Sequence, residues 1–150
     1  MRAIIQRCSE AHVKVGNDIV GQIEKGFLVL LGIEQDDNLE DAEWLSSKIV
    51  QLRIFDDSNG MMNLSLKDTD ANILSVSQFT LHAKTKKGNR PSFINAAPPE
   101  ISKPLYDKFN EMLSQKLGKP IEKGVFGAQM SISLVNDGPV TIFIDTKHKE

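Results

Sequence analysis

The chain has 150 residues, 40% of them hydrophobic and 25% charged, which suits one globular domain with a sizeable core. A net charge of −2 excludes general attraction to nucleic acid, so an RNA partner would need a local basic patch. The single cysteine, Cys8, excludes an intrachain disulfide and a cysteine-based zinc site. A reducing, cytoplasmic setting is expected, because no charge-free apolar run approaches the roughly 20 residues of a membrane span and the first residues lack the pattern of a secretory signal.

Ala3 to Ser9 reads as a strand, and His12–Val15 and Ile19–Ile23 as a hairpin turned by Gly16-Asn17-Asp18. Phe27 to Ile33 is a continuous apolar run, as a strand buried on both faces requires. Asn38 or Asp37 can cap a helix over Leu39–Arg53, whose stripe is Leu45, Ile49 and Leu52. Ile54-Phe55-Asp56 leads to a turn at Asn59-Gly60, and Ile73–Leu81 reads as a further strand. Ala83–Arg90 is a polar loop. Pro98-Pro99-Glu100 opens a second helix that Gly118 stops, although Pro104 argues for a start nearer Ser102 or Lys103. Ile121–Val125, Gln129–Val135 and Val140–Thr146 are the last strands, followed by a loose tail from Lys147. Hairpins dominate and regular β-α-β alternation is absent, so the fold class is α+β.

Three stretches can carry chemistry. On a strand, Gln78 and Thr80 would share one face and Ser77 and Phe79 the other. Thr80 then reads as a nucleophile, as a hydrogen-bonding group, or as the polar end of an amphipathic strand. A nucleophilic hydroxyl needs a base within reach, and His82, two residues on, has no evident orienting carboxylate. Lys84, Lys86, Lys87 and Arg90 place four cations within seven residues, either to meet phosphates or as a solvated loop. Asn136-Asp137-Gly138-Pro139-Val140-Thr141 lies between two apolar runs and reads first as a hairpin tip, with a proline that makes a cis peptide accessible. His12, His82 and His148 are scattered, and no metal or cofactor is expected.

Taken together, these pieces resemble the D-aminoacyl-tRNA deacylase family. Ser77-Gln78-Phe79-Thr80-Leu81 and Asn136 to Thr141 look like its two signature motifs. The opening Met1 to Ala11, Gly26 to Gly32, Arg90 to Phe93 and Phe126 to Met130 resemble the same family, so the likeness spans the chain. It implies a homodimer with a compact, barrel-like core of mainly antiparallel strands and two longer helices. It also implies hydrolysis of the ester between a D-amino acid, or glycine, and the terminal adenosine of tRNA. Gly138 and a cis Pro139 would enter the partner subunit's site and collide with an L side chain. Arg7 matches the position that holds that loop. Ser77 to Thr80 would supply backbone amides and positioning, which demotes Thr80 from nucleophile, and the substrate's own 2′-hydroxyl would assist. Arg90, Phe126, Met130, Asn136 and Thr141 match supporting positions, whereas His82 and Glu34 to Asp37 lie outside the motifs. The rivals are a non-catalytic tRNA-binding module and a hydrolase of free D-amino-acid esters.

Overall fold

A computed structural model describes all 150 residues. The strands are β1 (Arg2–Val15), β2 (Asp18–Ile23), β3 (Gly26–Gly32), β4 (Phe55–Asp56), β5 (Met62–Leu64), β6 (Asn72–Ser77), β7 (Glu122–Lys123) and β8 (Ser131–Asp145). The helices are α1 (Leu39–Gln51) and α2 (Pro99–Leu117), and a 3-10 turn covers Phe79–His82. No helix is long and apolar enough to cross a membrane.

β1 is one long strand through Glu10 and Ala11, where two were expected. Its first half pairs antiparallel with β3 and its second half with β2, while β8 runs antiparallel along its other edge. The sheet continues β3-β6-β7 through two parallel pairings. Its far end comes back to β2: a Cβ added to Gly21 would lie 2.7 Å from the Lys123 carbonyl oxygen. The result is a nearly closed, barrel-like mixed sheet. The two parallel pairings are crossovers, one through α1, β4 and β5 and one through α2, so β-α-β alternation is not regular and the fold class is α+β, as expected. β4 and β5 form a separate small hairpin.

Period-2 alternation sorts the strands into two cores. Phe27, Val29 and Leu31 of β3 join Ile73, Leu45, Ile49, Phe109 and Leu113 between sheet and helices. Leu28, Leu74 and Val76 turn the other way, against Cys8, Ala11, Val13 and Ile23 inside the curled sheet. The continuous apolar run of β3 is thus explained by burial on both faces, as expected.

Local chemistry sets the helix ends. Asn38, rather than Asp37, caps α1: its Oδ1 accepts from the Glu40 and Asp41 amides, and Asp41 Oδ2 accepts from the Asn38 amide. Asp37 is buried instead, where it accepts from the Met1 amino group at 2.6 Å. Arg53 lies beyond the end of α1. α2 starts at Pro99 and carries Pro104 inside it, because a proline near the N-terminus forfeits few intrahelical bonds. Gly118 ends α2 in the left-handed region, at φ 83°.

Two expectations near the candidate motifs fail. The strand expected over Ile73–Leu81 stops at Ser77, and Phe79–His82 coils into the 3-10 turn. Ser77, Gln78, Phe79 and Thr80 therefore do not alternate across two faces. Nor is Asn136–Thr141 a hairpin tip. β8 is continuous through it, so the runs expected at Gln129–Val135 and Val140–Thr146 are one strand. Gln6 pairs with Thr141 and Cys8 with Asn136. Asp137, Gly138, Pro139 and Val140 therefore stand opposite Arg7 alone and loop out of the ladder as a wide bulge.

Candidate functional site

The parallel pairing of β3 with β6 brings their C-terminal ends together, Leu31 opposite Ser77. Strand ends of parallel pairs are where such sheets leave room for ligands. A cavity of about 510 Å³ opens there. Leu31, Ile33, Val76 and Ile132 give it apolar walls; Ser77, Gln78 and Phe79 form one side, and Phe126 to Met130 another. Pro99 and Ser102, from the first turn of α2, close the back. Below them Tyr106 donates its hydroxyl to the Ser75 carbonyl at 3.0 Å and packs on the Phe126 ring at 5.7 Å. Burial, opposed by hydrogen bonding with Ser75, pushes the Tyr106 hydroxyl above its ordinary value.

The turn after β6 faces this cavity. The Gln78 amide donates to the Leu31 carbonyl at 2.7 Å and continues the ladder by one residue. Beyond it the chain coils, and no side chain caps the start of the 3-10 turn. The first amides of such a turn have no partner within it, which leaves those of Phe79 and Thr80 available to an oxygen of a ligand. The turn is fixed from behind. Arg2 Nη1 donates to the Leu81 carbonyl at 2.9 Å, while Arg2 Nε donates to Asp145 at 2.9 Å. Gly32 lies against it so closely that a Cβ would meet Leu81 Cβ at 2.9 Å and Gln78 O at 3.0 Å.

Thr80 is exposed, and its Oγ1 is held by the Gln78 side-chain amide at 2.5 Å. An amide cannot take a proton from a hydroxyl. His82 turns into the interior, only 2% exposed, and neither ring nitrogen has a hydrogen-bond partner. The structure does supply what the sequence did not show beside it: Glu34 Oε2 lies 3.9 Å from His82 Nδ1. Neither member of that pair is hydrogen-bonded to Thr80.

A second cluster forms at the β8 bulge. Arg7, 6% exposed, donates through Nε to the Asp137 carbonyl at 3.0 Å and through Nη1 to the Ile54 carbonyl at 2.6 Å. The Asp56 and Asp137 carboxylates lie 3.3 and 3.6 Å from it. Asn136 Nδ2 donates to the Arg7 and Val140 carbonyls at 2.9 and 3.0 Å, and so clamps the base of the bulge. Thr141 Oγ1 donates to Asn136 Oδ1 at 3.5 Å. The Gly138–Pro139 peptide is cis, and Gly138 has φ 133°. Both residues are exposed.

The predicted site residues thus fall into two groups. Ser77, Gln78, Phe79, Phe126 and Met130 line the cavity, with Thr80 next along the turn. Arg7, Asn136, Gly138, Pro139 and Thr141 form the bulge cluster and do not line the cavity. Arg90 joins neither and stands in the exposed loop beyond the turn. Sequence reasoning missed Arg2, Asp145 and Glu34. Arg2 reaches the turn across 79 residues and Glu34 across 48, and Asp145 holds Arg2 across 143, so none leaves a local signal.

Residues 4–145 match the family described as D-Tyr-tRNA(Tyr) deacylase. D-aminoacyl-tRNA deacylases of Flavobacterium psychrophilum and Bacteroides fragilis are each 58% identical to the chain over 150 residues, with all of both chains covered. A solved structure of a c-Myc DNA unwinding element binding protein is 40% identical, with a TM-score of 0.90, and covers 97% of this chain and 98% of its own. A probable eukaryotic D-amino acid tRNA deacylase, 20% identical, shares the fold with a TM-score of 0.82 over 95% of this chain and 97% of its own.

Proposed function

The chain belongs to the D-Tyr-tRNA(Tyr) deacylase family, and from that premise we infer that it hydrolyses the ester joining a D-amino acid to the 3′-terminal adenosine of tRNA. Free tRNA and the D-amino acid are released. The observation that carries the chemistry is the uncapped start of the 3-10 turn at the mouth of an apolar cavity, with no base beside Thr80. Attack on the ester carbonyl develops negative charge on its oxygen. The amides of Phe79 and Thr80 stabilise that charge, a contribution of about 3–4 kcal/mol per well-placed donor. Gln78 and Thr80 hold each other and position the substrate, and the terminal 2′-hydroxyl activates the water.

The working unit is a homodimer in the cytoplasm. β8 pairs on one edge only, with β1, and carries Val135 and Phe143 exposed at 50% and 58%. A 15-residue strand with an open edge and apolar side chains is a template for pairing with another chain. Such pairing brings the bulge of one subunit to the cavity of the other, where Gly138 and Pro139 face the substrate's α-carbon. They leave room for hydrogen and exclude an L side chain. Arg7 and Asn136 keep the bulge in place.

Incubation with matched D- and L-aminoacyl-tRNA tests this directly, with ester loss followed over time. D-only hydrolysis is expected. Equal hydrolysis of both would remove the chiral role of the bulge, and binding without hydrolysis would favour a tRNA-binding module. A substrate with hydrogen in place of the terminal 2′-hydroxyl is expected to turn over far more slowly, and undiminished turnover would remove that group from the mechanism.

A further inference from the structure

Between Asp70 and Glu100 the chain has no acidic residue and carries Lys84, Lys86, Lys87 and Arg90. The segment stands at +4 in a chain of −2, so all other residues together stand at −6. The four cations are exposed. The chain's lysine and arginine ion pairs run through Arg2, Arg7, Lys103, Lys108, Lys116, Lys119 and Lys147, and none uses these four. All four are therefore available to an anion from outside.

The loop that bears them is a rim of the cavity. It leaves the 3-10 turn directly after His82, and Lys84 and Ser92 exchange backbone bonds of 2.8 and 3.0 Å that close it at its base. Phe93, just past that closure, meets the Phe79 ring edge-on at 5.1 Å. Phe79 lines the cavity, and so do Ala96 and Ala97 further along. Both ends of the loop thus run into residues that line the site.

We propose that the loop from Lys84 to Arg90 grips the phosphate backbone near the 3′ end of the tRNA while the esterified adenosine occupies the cavity. This rests on the deacylase reading above and adds a second point of contact to it. The terminal aminoacyl-adenosine alone has no phosphates within its own structure, whereas the intact tRNA carries a continuous anionic strand away from the ester. Cations on a short closed loop read that strand by charge and not by base, since no aromatic side chain interleaves with them between Lys84 and Arg90. Affinity gained this way falls with salt, by about 0.7–0.9 in log–log slope for each phosphate neutralised.

The test compares the full-length protein with its K84Q/K86Q/K87Q variant on two substrates, D-aminoacyl-tRNA and a D-aminoacyl-adenosine fragment. For tRNA, KM is expected to rise, and the salt slope of kcat/KM to fall by about 2–3. This corresponds to a share of about 20- to 40-fold in the loss of affinity between 50 and 200 mM salt. Turnover of the fragment is expected to stay within about twofold, and thermal melting to be unchanged because the three side chains are exposed. An unchanged KM and salt slope on tRNA would overturn the proposal. So would an equal loss on both substrates, which would place the lysines' effect in the cavity. If the unmodified protein failed on both substrates, the deacylase reading itself would fall, and that result is distinct from these.

Discussion

Arg7 is where stability and selectivity meet, and Arg7→Met separates them. The substitution keeps an apolar stem of similar length and removes the guanidinium. Two charge-assisted hydrogen bonds are lost, to the Asp137 and Ile54 carbonyls. Each is worth about 1.5–3 kcal/mol. The carboxylates of Asp56 and Asp137 are both 53% exposed, so their pairing with Arg7 adds only about 0–1 kcal/mol. Methionine also escapes the desolvation of a buried cation, which offsets part of the loss. The net expectation is a destabilisation of about 2–4 kcal/mol, or a urea midpoint lower by about 1–2 M at an m-value near 2 kcal/mol/M. Arg7→Lys keeps a charge, but a point donor cannot reach two carbonyls in different directions, so about half the loss remains. The Asp137 carbonyl adjoins Gly138, so the freed bulge moves. At about 1.4 kcal/mol per factor of ten, the lost bond lowers the preference for D- over L-aminoacyl-tRNA by about tenfold or more. Urea titration and paired single-turnover assays read the two effects. A midpoint shift below about 0.5 M with an unchanged D/L ratio would refute the assignment of Arg7 as the clamp of the bulge.

The other expectations follow from geometry just as local. Gly138→Ala puts a Cβ 2.8 Å from Val140 Cγ2 at φ 133°, a strain of about 1–3 kcal/mol, and D/L discrimination in single-turnover assays is expected to fall. Gly32→Ala drives a Cβ into Leu81 and the Gln78 carbonyl, so kcat/KM is expected to drop on the D-substrate; unchanged kcat/KM would show that the turn's position is unimportant. Burial, partly opposed by backbone hydrogen bonding at Leu28 and Gly26 and reinforced by Asp137, pushes the Cys8 thiol up. A disulfide reagent at pH 8 is expected to leave it unmodified until urea unfolds the chain, and fast labelling of the native protein would contradict this. Burial raises the Asp145 carboxyl, but the Lys147 amide and the hydrogen bond and charge of Arg2 outweigh it and hold it below the ordinary carboxylate value. A lowered folded pKa stabilises above the unfolded value, near 3.9, and this stability is lost as pH falls through the lower one. Urea midpoints are therefore expected to fall below about pH 4, and less steeply in Asp145→Asn.

Local physics made some elements legible without any structure. Asn38 announces α1 because a side-chain oxygen beside orphan amides is a short-range interaction. Gly118 announces the end of α2 because its left-handed conformation strains any other residue. β3 shows itself as an apolar run because both its faces are covered. The motifs Ser77–Thr80 and Asn136–Thr141 were visible as well, and with them the family. Their shapes were not. Asn136-Asp137-Gly138-Pro139 has the composition of a hairpin turn, and only β1, about 130 residues earlier, decides otherwise, because it pairs with β8 on both sides of the bulge. Gln78 and Thr80 look like strand neighbours until the last ladder bond, to Leu31, is used up and the chain must coil. Arg2, Glu34 and Asp145 reach the same turn only because the sheet curls back on itself. Periodicity and capping act within a few residues and can be read along the chain. Ladder partners, bulges and buried ion pairs are set by what lies alongside in space, and that was decided only when the chain closed.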